Sequence, residues 1–330
     1  MEGISGMMEF NKILVTGACG MIGSHFANML HDEGEKVVVI DKLTYAADRN
    51  NLDPFIPFVK GDICRLKSHE GHIWSNIDCV ISGVDCIVNF AAETHVDNSL
   101  KNDTEFHKTN YLGVANLLKC AVNMEVKRFV QVSTDEIYGP SEDGEYFNED
   151  DKPNPCNPYS ASKAAAEMLV NAYHKTYGLN TIITRGSNTF GECQFKEKLI
   201  PLCINKALKN EPLPIYGDGS AKRMYIYVKD HARAIEHCMD YGKSGEFYNI
   251  RGTVELSALE VATWICNIVG ASESLITFVE DRKGHDSRYL INGVKLNLLG
   301  FRYQYPHFYD MLVQTVKHYK KLLDNNPQKT

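Results

Sequence analysis

Apolar residues fall along this chain in short dense runs, separated by longer stretches of helical period. Lys12-Ile-Leu-Val-Thr16 is such a run; glycines follow it, then a helical pattern from Met21 to about Glu33, then Val37-Val-Val-Ile-Asp41. Strand, glycine turn, helix and strand in that order make a βαβ unit with parallel strands. Further runs at Phe58-Val59, Cys86 to Phe90, Phe129 to Val132 and Thr181 to Thr184 alternate with helical segments near 105–124 and 158–177. Runs that are apolar throughout suit strands covered on both faces, so the pattern predicts a doubly wound parallel α/β sheet.

After about Arg185 the texture changes. Shorter strands (Pro214 to Tyr216, Tyr225 to Val228, Glu246 to Ile250) mix with helices near 196–210, 230–240 and 257–269. The expected organisation is a cofactor domain over residues 1–185 and a smaller α/β substrate lobe over 186–330, with segments of the second part able to return to the sheet.

Composition narrows the class. With 330 residues, 44% hydrophobic and 23% charged, the chain can bury a sizeable core. Its net charge of -7 leaves no electrostatic footprint for nucleic acid or an anionic membrane. Apolar stretches such as Cys86 to Ala92 are far shorter than the roughly 20 residues of a membrane helix, and Met1 to Lys12 lacks a signal-peptide core, so a cytoplasmic location is expected. No two of the ten cysteines form Cys-x-x-Cys, and Cys79, Cys86, Cys120, Cys203 and Cys266 lie in apolar runs, as small buried hydrophobes do in a reducing compartment. His69 and His72 flank Glu70 without a third close ligand, and no metal site is expected.

The chemistry concentrates in two places. Gly17-Ala-Cys-Gly20-Met-Ile-Gly23 joins the first strand to a helix, where glycines let backbone N–H groups approach a pyrophosphate and the helix dipole favours the anion. Asp41 ends the second strand, 18 residues beyond Gly23, where a carboxylate accepts the adenosine ribose hydroxyls and repels a 2'-phosphate. NAD is therefore favoured over NADP, with Lys42 and Arg49 as the nearby cations to be accounted for. Asp62, after Gly61, suits a position near adenine.

The second place is Tyr159-Ser-Ala-Ser-Lys163, at the start of a helical segment, with Ser133-Thr-Asp-Glu136 at the end of the fifth strand. Positions i and i+4 share a helix face, and an adjacent cation is expected to lower the phenol pKa and make Tyr159 a base for a substrate hydroxyl. Thr134 adds a hydroxyl beside it. Tyr225 and Lys229 repeat the spacing in a strand-like run, where the geometry does not bring them together. Asp135 and Glu136 are two acids able to divide general acid and general base work if their environments separate their pKa values.

Together these residues resemble the extended short-chain dehydrogenase/reductase superfamily, and within it the dTDP-glucose 4,6-dehydratase branch. The resemblance is carried by Val15-Thr-Gly-Ala-Cys-Gly-Met-Ile-Gly-Ser24, Asp41-Lys-Leu-Thr-Tyr-Ala46, Ala91-Ala-Glu-Thr-His-Val-Asp97, Ser133-Thr-Asp-Glu-Ile-Tyr-Gly139 and Asn157-Pro-Tyr-Ser-Ala-Ser-Lys163. It implies a Rossmann-type fold and an NAD-dependent lyase, a nucleotide-sugar 4,6-dehydratase, that yields the 4-keto-6-deoxy sugar. In that family the acid would be Asp135, the base Glu136, the residue taking the C4 hydroxyl proton Tyr159, and its partner on the nicotinamide ribose Lys163.

The set expected around NAD is Gly17, Gly20, Met21, Ile22, Gly23, Asp41, Lys42, Thr44, Asp62, Ile63, Ala91 and Ala92, with Tyr159 and Lys163. Around a nucleoside-diphosphate hexose the resemblance places His95, Asn188, Lys198, Leu199, Tyr216, Arg223, Asn249, Arg282 and His285. A homodimer through the helices near 105–124 and 158–177 is a family expectation as well. The chain departs from the family pattern at Asn98, Thr189-Phe190 and Met224-Tyr225, near the sugar and nucleotide. That leaves open both the base and the hexose, glucose or an N-acetylglucosamine type. The alternative is a nucleotide-sugar 4-epimerase on the same fold, in which Asp135 and Glu136 are solvated turn residues. A non-catalytic NAD-binding regulator would be expected to have lost the Tyr/Lys pair, which is intact here.

Overall fold

The computed structural model describes residues 7–65, 68–69, 72–73, 82–141, 144–281 and 288–325. Seven parallel strands form the main sheet: β1 (Ile13–Thr16), β2 (Val37–Asp41), β3 (Phe58–Lys60), β4 (Cys86–Asn89), β5 (Arg128–Thr134), β6 (Thr181–Gly186) and, far along the chain, Glu246–Ile250. Their spatial order is 3-2-1-4-5-6 followed by the late strand, with the direction of winding reversed between β1 and β4. Open α/β sheets bind ligands at such a reversal, outside the carboxyl ends of the strands.

The apolar runs are buried on both faces. Ile13, Val15, Val37 and Val39 enter one cluster with Phe26 and Leu30 of α1 (Met21–Asp32), while Leu14, Val38 and Ile40 enter another with Leu117 and Leu118 of α2 (Val114–Asn123). Alternating side chains serve opposite faces, which is why each run reads as continuously apolar.

α3 (Pro158–Tyr177) begins where its sequence dictates. Asn157 and Ser160 form a reciprocal capping box, Pro158 occupies the first turn, and Gly178 closes the helix in the left-handed conformation. This start fixes Tyr159, Lys163 and Glu167 on one stripe. The segment expected as a single helix near 105–124 is instead Thr104–His107, a π turn at Lys108–Gly113, and then α2. The π turn aims the buried Asn110 at Ser162 of α3 (2.9 Å) and at the backbone of Glu93 (2.8 and 3.0 Å).

The later chain divides between the two parts. Glu246–Ile250, whose texture resembled the second lobe, pairs along β6 in the large sheet, and the helix Val228–Tyr241 packs against α1. The lobe's own core gathers Phe190, Ile204, Tyr225, Leu256, Ile265, Phe308 and Leu312. It carries β7 (Asn188–Phe190) and β9 (Lys222–Tyr227), paired in parallel, and β8 (Leu213–Tyr216), which pairs with Ile276–Val279. Cys86, Cys120, Cys203 and Cys266 are buried free thiols, whereas Cys79 lies outside the described residues. The His69 and His72 backbones pair in a short hairpin, and their side chains are likewise outside the description.

A buried ion pair joins sheet to helix. Arg185 on β6 donates to Glu167 on α3 at 2.8 Å, with both side chains 3% exposed. The guanidinium also donates to the Tyr138 hydroxyl and the Glu149 carbonyl, and stacks over Tyr138 and Phe247. Removing one member of such a pair leaves a buried charge uncompensated. Arg185→Met is expected to destabilise the fold by about 3–5 kcal/mol, and Arg185→Met with Glu167→Leu to recover most of it, as read from denaturant midpoints; equal losses in both variants would refute this.

Candidate active site

The carboxyl ends of the strands open into one cavity of about 310 Å³, with Gly17, Asp41, Ala91, Thr134 and Gly186 along its floor. At one end the backbone makes a close cradle. Gly17 has φ +69°, and a Cβ there would lie 2.5 Å from Ala91 N; at Gly23 it would lie 2.8 Å from the Gly17 carbonyl. Any side chain at Gly17 is thus excluded by space as well as by conformation. Met21, Ile22 and Gly23 form part of the wall, and the first-turn N–H groups of α1 have no side-chain cap, an arrangement that suits a phosphate.

Asp41 is held by the N–H groups of Cys19 (2.8 Å) and Leu43 (2.7 Å), which turns its carboxylate into the cavity wall. The two neighbouring cations are engaged elsewhere. Lys42 pairs with Asp62 at 3.0 Å, while Arg49 donates to the carbonyls of Leu52, Asp53 and Ile56 and lies over the Phe58 ring. An acid at the ribose position, with both cations occupied, fits NAD and disfavours an added 2'-phosphate. Thr44, Ile63 and Ala92 complete this half of the wall.

At the other end Thr134, Asp135, Glu136, Tyr159 and Lys163 meet in the same cavity. Thr134 terminates β5, and its hydroxyl accepts from the Glu136 N–H at 3.3 Å, starting the short turn that presents both acids. Asp135 is 2% exposed, and burial, then the charge of Glu136, push its carboxyl up to about 7 against the opposing charge of Arg223. It is a carboxylic acid that keeps its proton near neutrality.

Lys163 donates to the Val132 carbonyl at 2.7 Å, and burial draws its ammonium down to about 8. The expected lowering of the Tyr159 phenol by this cation is not what the geometry gives. Burial, and next the charge of Glu136, raise the phenol; a hydrogen bond with Thr134 opposes them, while the ammonium is anchored on the strand below.

The expected sugar-nucleotide residues divide. Asn188 and Lys198 line the cavity, Lys198 donating to the Thr94 carbonyl at 3.1 Å. His95 lies just outside the wall, 3.7 Å from Glu197, and Leu199 opens the helix Leu199–Leu208. Tyr216 is exposed at the end of β8, and Arg223 lies over the Tyr289 ring at 4.6 Å. Asn249 is not brought to the cavity. It is fully buried, accepts from Tyr138, donates to the Phe147 carbonyl and bonds Glu149 through its N–H, so its hydrogen-bonding capacity serves the fold. Arg282 and His285 lie outside the described residues.

Residues outside the expected site set complete the wall: Glu93, Ser133 and Thr189, which lie in segments already singled out, and Gln194, Phe195 and His231, which do not. Phe195 meets Tyr45 edge to face at 5.3 Å, so the segment after β7 crosses over the cavity. Ser133 Oγ, Asp135 Oδ2, Asn188 Oδ1, Gln194 Oε1 and His231 Nε2 are buried in this wall without a hydrogen-bond partner among the described residues. Buried polar atoms are rarely left so, and a cluster of them marks where a polar ligand makes its contacts.

Fold and site together define a dinucleotide-binding enzyme with a Tyr/Lys pair and a buried acid whose pKa is raised toward neutrality. The chain belongs to the NAD dependent epimerase/dehydratase family, whose model matches residues 13–250. It is 40% identical over 321 residues to the dTDP-glucose 4,6-dehydratase of Streptomyces niveus, covering 94% of this chain and 93% of that one. It is 45% identical over 313 residues to the low-salt glycan biosynthesis protein Agl12 of Haloferax volcanii, covering 93% and 98%.

Among solved structures, the dTDP-glucose 4,6-dehydratase of Streptomyces venezuelae superposes with a TM-score of 0.89 at 41% identity, covering 96% of this chain and all (100%) of that one. The UDP-glucose 4-epimerase of Thermus thermophilus superposes with 0.85 at 27% identity, covering 94% and 99%. Dehydratase and epimerase thus share the fold, and the backbone alone does not separate them.

The raised Asp135 has a thermodynamic consequence. Its carboxyl ionises from 3.8 in an unfolded chain but only near 7 when folded, so the stability linked to its proton is full below the lower value and lost as pH rises to the upper one. Asp135→Asn is expected to raise the melting temperature relative to the parent at about pH 8, with the gain shrinking toward about pH 4.5. Melting curves of the two chains across that range test it, and a gain independent of pH would contradict it.

Proposed function

We propose that this chain is an NAD-dependent nucleotide-sugar 4,6-dehydratase acting on a nucleoside-diphosphate glucose with a pyrimidine base. The supporting observation is Asp135, a buried acid holding its proton near neutrality, beside Glu136 in the cavity that contains Tyr159. Epimerisation at C4 needs no such acid; loss of water does. The relatives named for dTDP-glucose support the substrate class, as does a trifunctional UDP-glucose 4,6-dehydratase of Arabidopsis thaliana, 45% identical over 302 residues, of which the chain spans 44%.

In this reading Tyr159 takes the C4 hydroxyl proton once the positive nicotinamide ring and the Lys163 ammonium offset the burial that raises its phenol, with Thr134 holding that oxygen and Lys163 holding the cofactor ribose. The hydride acceptor for C4 and the hydride donor for C6 would be the nicotinamide of a bound NAD. With C4 a ketone, the C5 proton is acidified and Glu136 removes it. Asp135 protonates the C6 hydroxyl, which leaves as water, and a proton is returned to C5 when C6 is reduced. The cofactor domain corresponds to residues 1–185, and the substrate lobe, with the strand and helix that return to the sheet, to 186–330. Lys198 and Arg223 provide the positive charge for the diphosphate.

Incubation with dTDP-, UDP- and GDP-sugars should yield a product lighter by one water without accumulating NADH, and Glu136→Gln should lower turnover by about 10²–10⁴-fold. A product of unchanged mass, epimeric at C4, would overturn dehydration. The assembly proposed is a homodimer through the helical stretches 104–123 and 158–177, on which Leu112 and Met168 are exposed apolar side chains. Solution scattering is expected to give twice the chain mass; a monomer would refute it.

A further inference from the structure

His231, in the first turn of the helix Val228–Tyr241, lines the cavity but takes no part in the chemistry above. It is 2% exposed. Its Nδ1 lies 2.6 Å from the Thr189 hydroxyl, and its Nε2 is buried with no partner among the described residues. The Thr189 hydroxyl has one proton and two acceptors in reach, the Ser187 carbonyl at 3.3 Å and the ring nitrogen itself. With that proton on the carbonyl, the hydroxyl accepts from Nδ1–H and Nε2 is a bare acceptor, and the role assigned to the ring rests on this tautomer. Burial keeps the ring neutral by drawing its pKa down to about 4.

The ring sits where a side chain at Gly186 would be: a Cβ on that glycine would lie 2.3 Å from His231 Cε1. Gly186 is in register with Thr134 on the adjacent strand, a separation of about 4.8 Å. His231 therefore stands at the β5–β6 end of the cavity, opposite the Asp41 end. A dinucleotide whose adenosine ribose meets Asp41 has its nicotinamide at this far end. The nicotinamide carboxamide carries an N–H donor for which a bare acceptor is the complement.

We propose that His231 is a positioning residue for the cofactor: its Nε2 accepts a hydrogen bond from the carboxamide N–H and so fixes the rotation of the nicotinamide beside Thr134. This rests on the NAD-dependent reading given above. Thr189 belongs to the same device, because its hydroxyl sets the tautomer that leaves Nε2 unprotonated. Among the described residues no charge contributes to the shift of this imidazole, so the acceptor persists over the whole neutral range.

The probe is 3-acetylpyridine adenine dinucleotide, in which a methyl ketone replaces the amide, keeping the carbonyl and losing the N–H donor. Affinities of the full chain for NAD and for this analogue are measured by calorimetry. The parent is expected to prefer NAD by about tenfold, the loss that an unmet buried acceptor produces. In His231→Leu the preference should fall to near unity, and in Thr189→Val, which keeps the ring but frees its tautomer, it should fall part of the way. Affinity for the nucleotide sugar should be unchanged in His231→Leu.

A parent that binds both dinucleotides equally, or a preference that survives in both variants, would overturn the assignment. So would intact discrimination with weakened sugar binding, which would give the imidazole to the hexose. If the parent binds neither dinucleotide, the NAD reading itself is refuted, an outcome distinct from the loss of discrimination alone.

Discussion

The buried ion pair between Arg185 and Glu167 is the constraint on which the site depends. Glu167 is the third member of the stripe that begins with Tyr159 and Lys163, and Arg185 is the residue before Gly186 at the cavity floor. Two charges taken this far out of water tolerate little displacement, because every ångström of separation is felt at low dielectric. Helix α3 cannot slide along the sheet without breaking the pair. The phenol and ammonium are thereby held in register with the hydroxyl and acids at the end of β5. Tyr138, which accepts from Arg185, and Asn249, which accepts from Tyr138, extend the constraint to the segment near Glu149.

The same exclusion of water acts on four titratable groups at the β5–β6 end of the cavity and favours the neutral form of each. It raises the Asp135 carboxyl and the Tyr159 phenol, and lowers the Lys163 ammonium and the His231 imidazole. One physical cause thus supplies an acid that retains its proton and an imidazole that remains a hydrogen-bonding group. Glu136, less buried and adjacent, is the charge that separates the two carboxyls in function.

Most of the sheet was legible because parallel strands buried on both faces must be apolar throughout, and a glycine-rich turn has few uses after such a strand. The catalytic set was legible for a related reason: Thr134, Asp135 and Glu136 are contiguous, and Tyr159 and Lys163 lie one helical turn apart. What escaped was whatever depends on the late chain returning. His231 and Thr189 are 42 positions apart and meet only because β7 and the helix Val228–Tyr241 pack together; no local spacing announces them. Asn249 misled in the opposite way, since its strand joins the large sheet and its amide is consumed by Tyr138 and Phe147. The cation beside the phenol was over-read because helical spacing gives a shared face but not which neighbour the ammonium reaches.

The π turn at Lys108–Gly113 carries one more residue than an α-helical turn would. Excising one residue there would restore an unbroken α-helix and swing everything before it by about 100° around the axis. Phe106, which meets the Tyr159 ring edge to face at 6.3 Å, would then face elsewhere, and Asn110 would lose its reach to both Glu93 and Ser162. Chain length in this one turn is therefore as much a part of the active site as any side chain, and among relatives an insertion or deletion at this point would alter the chemistry more readily than many substitutions.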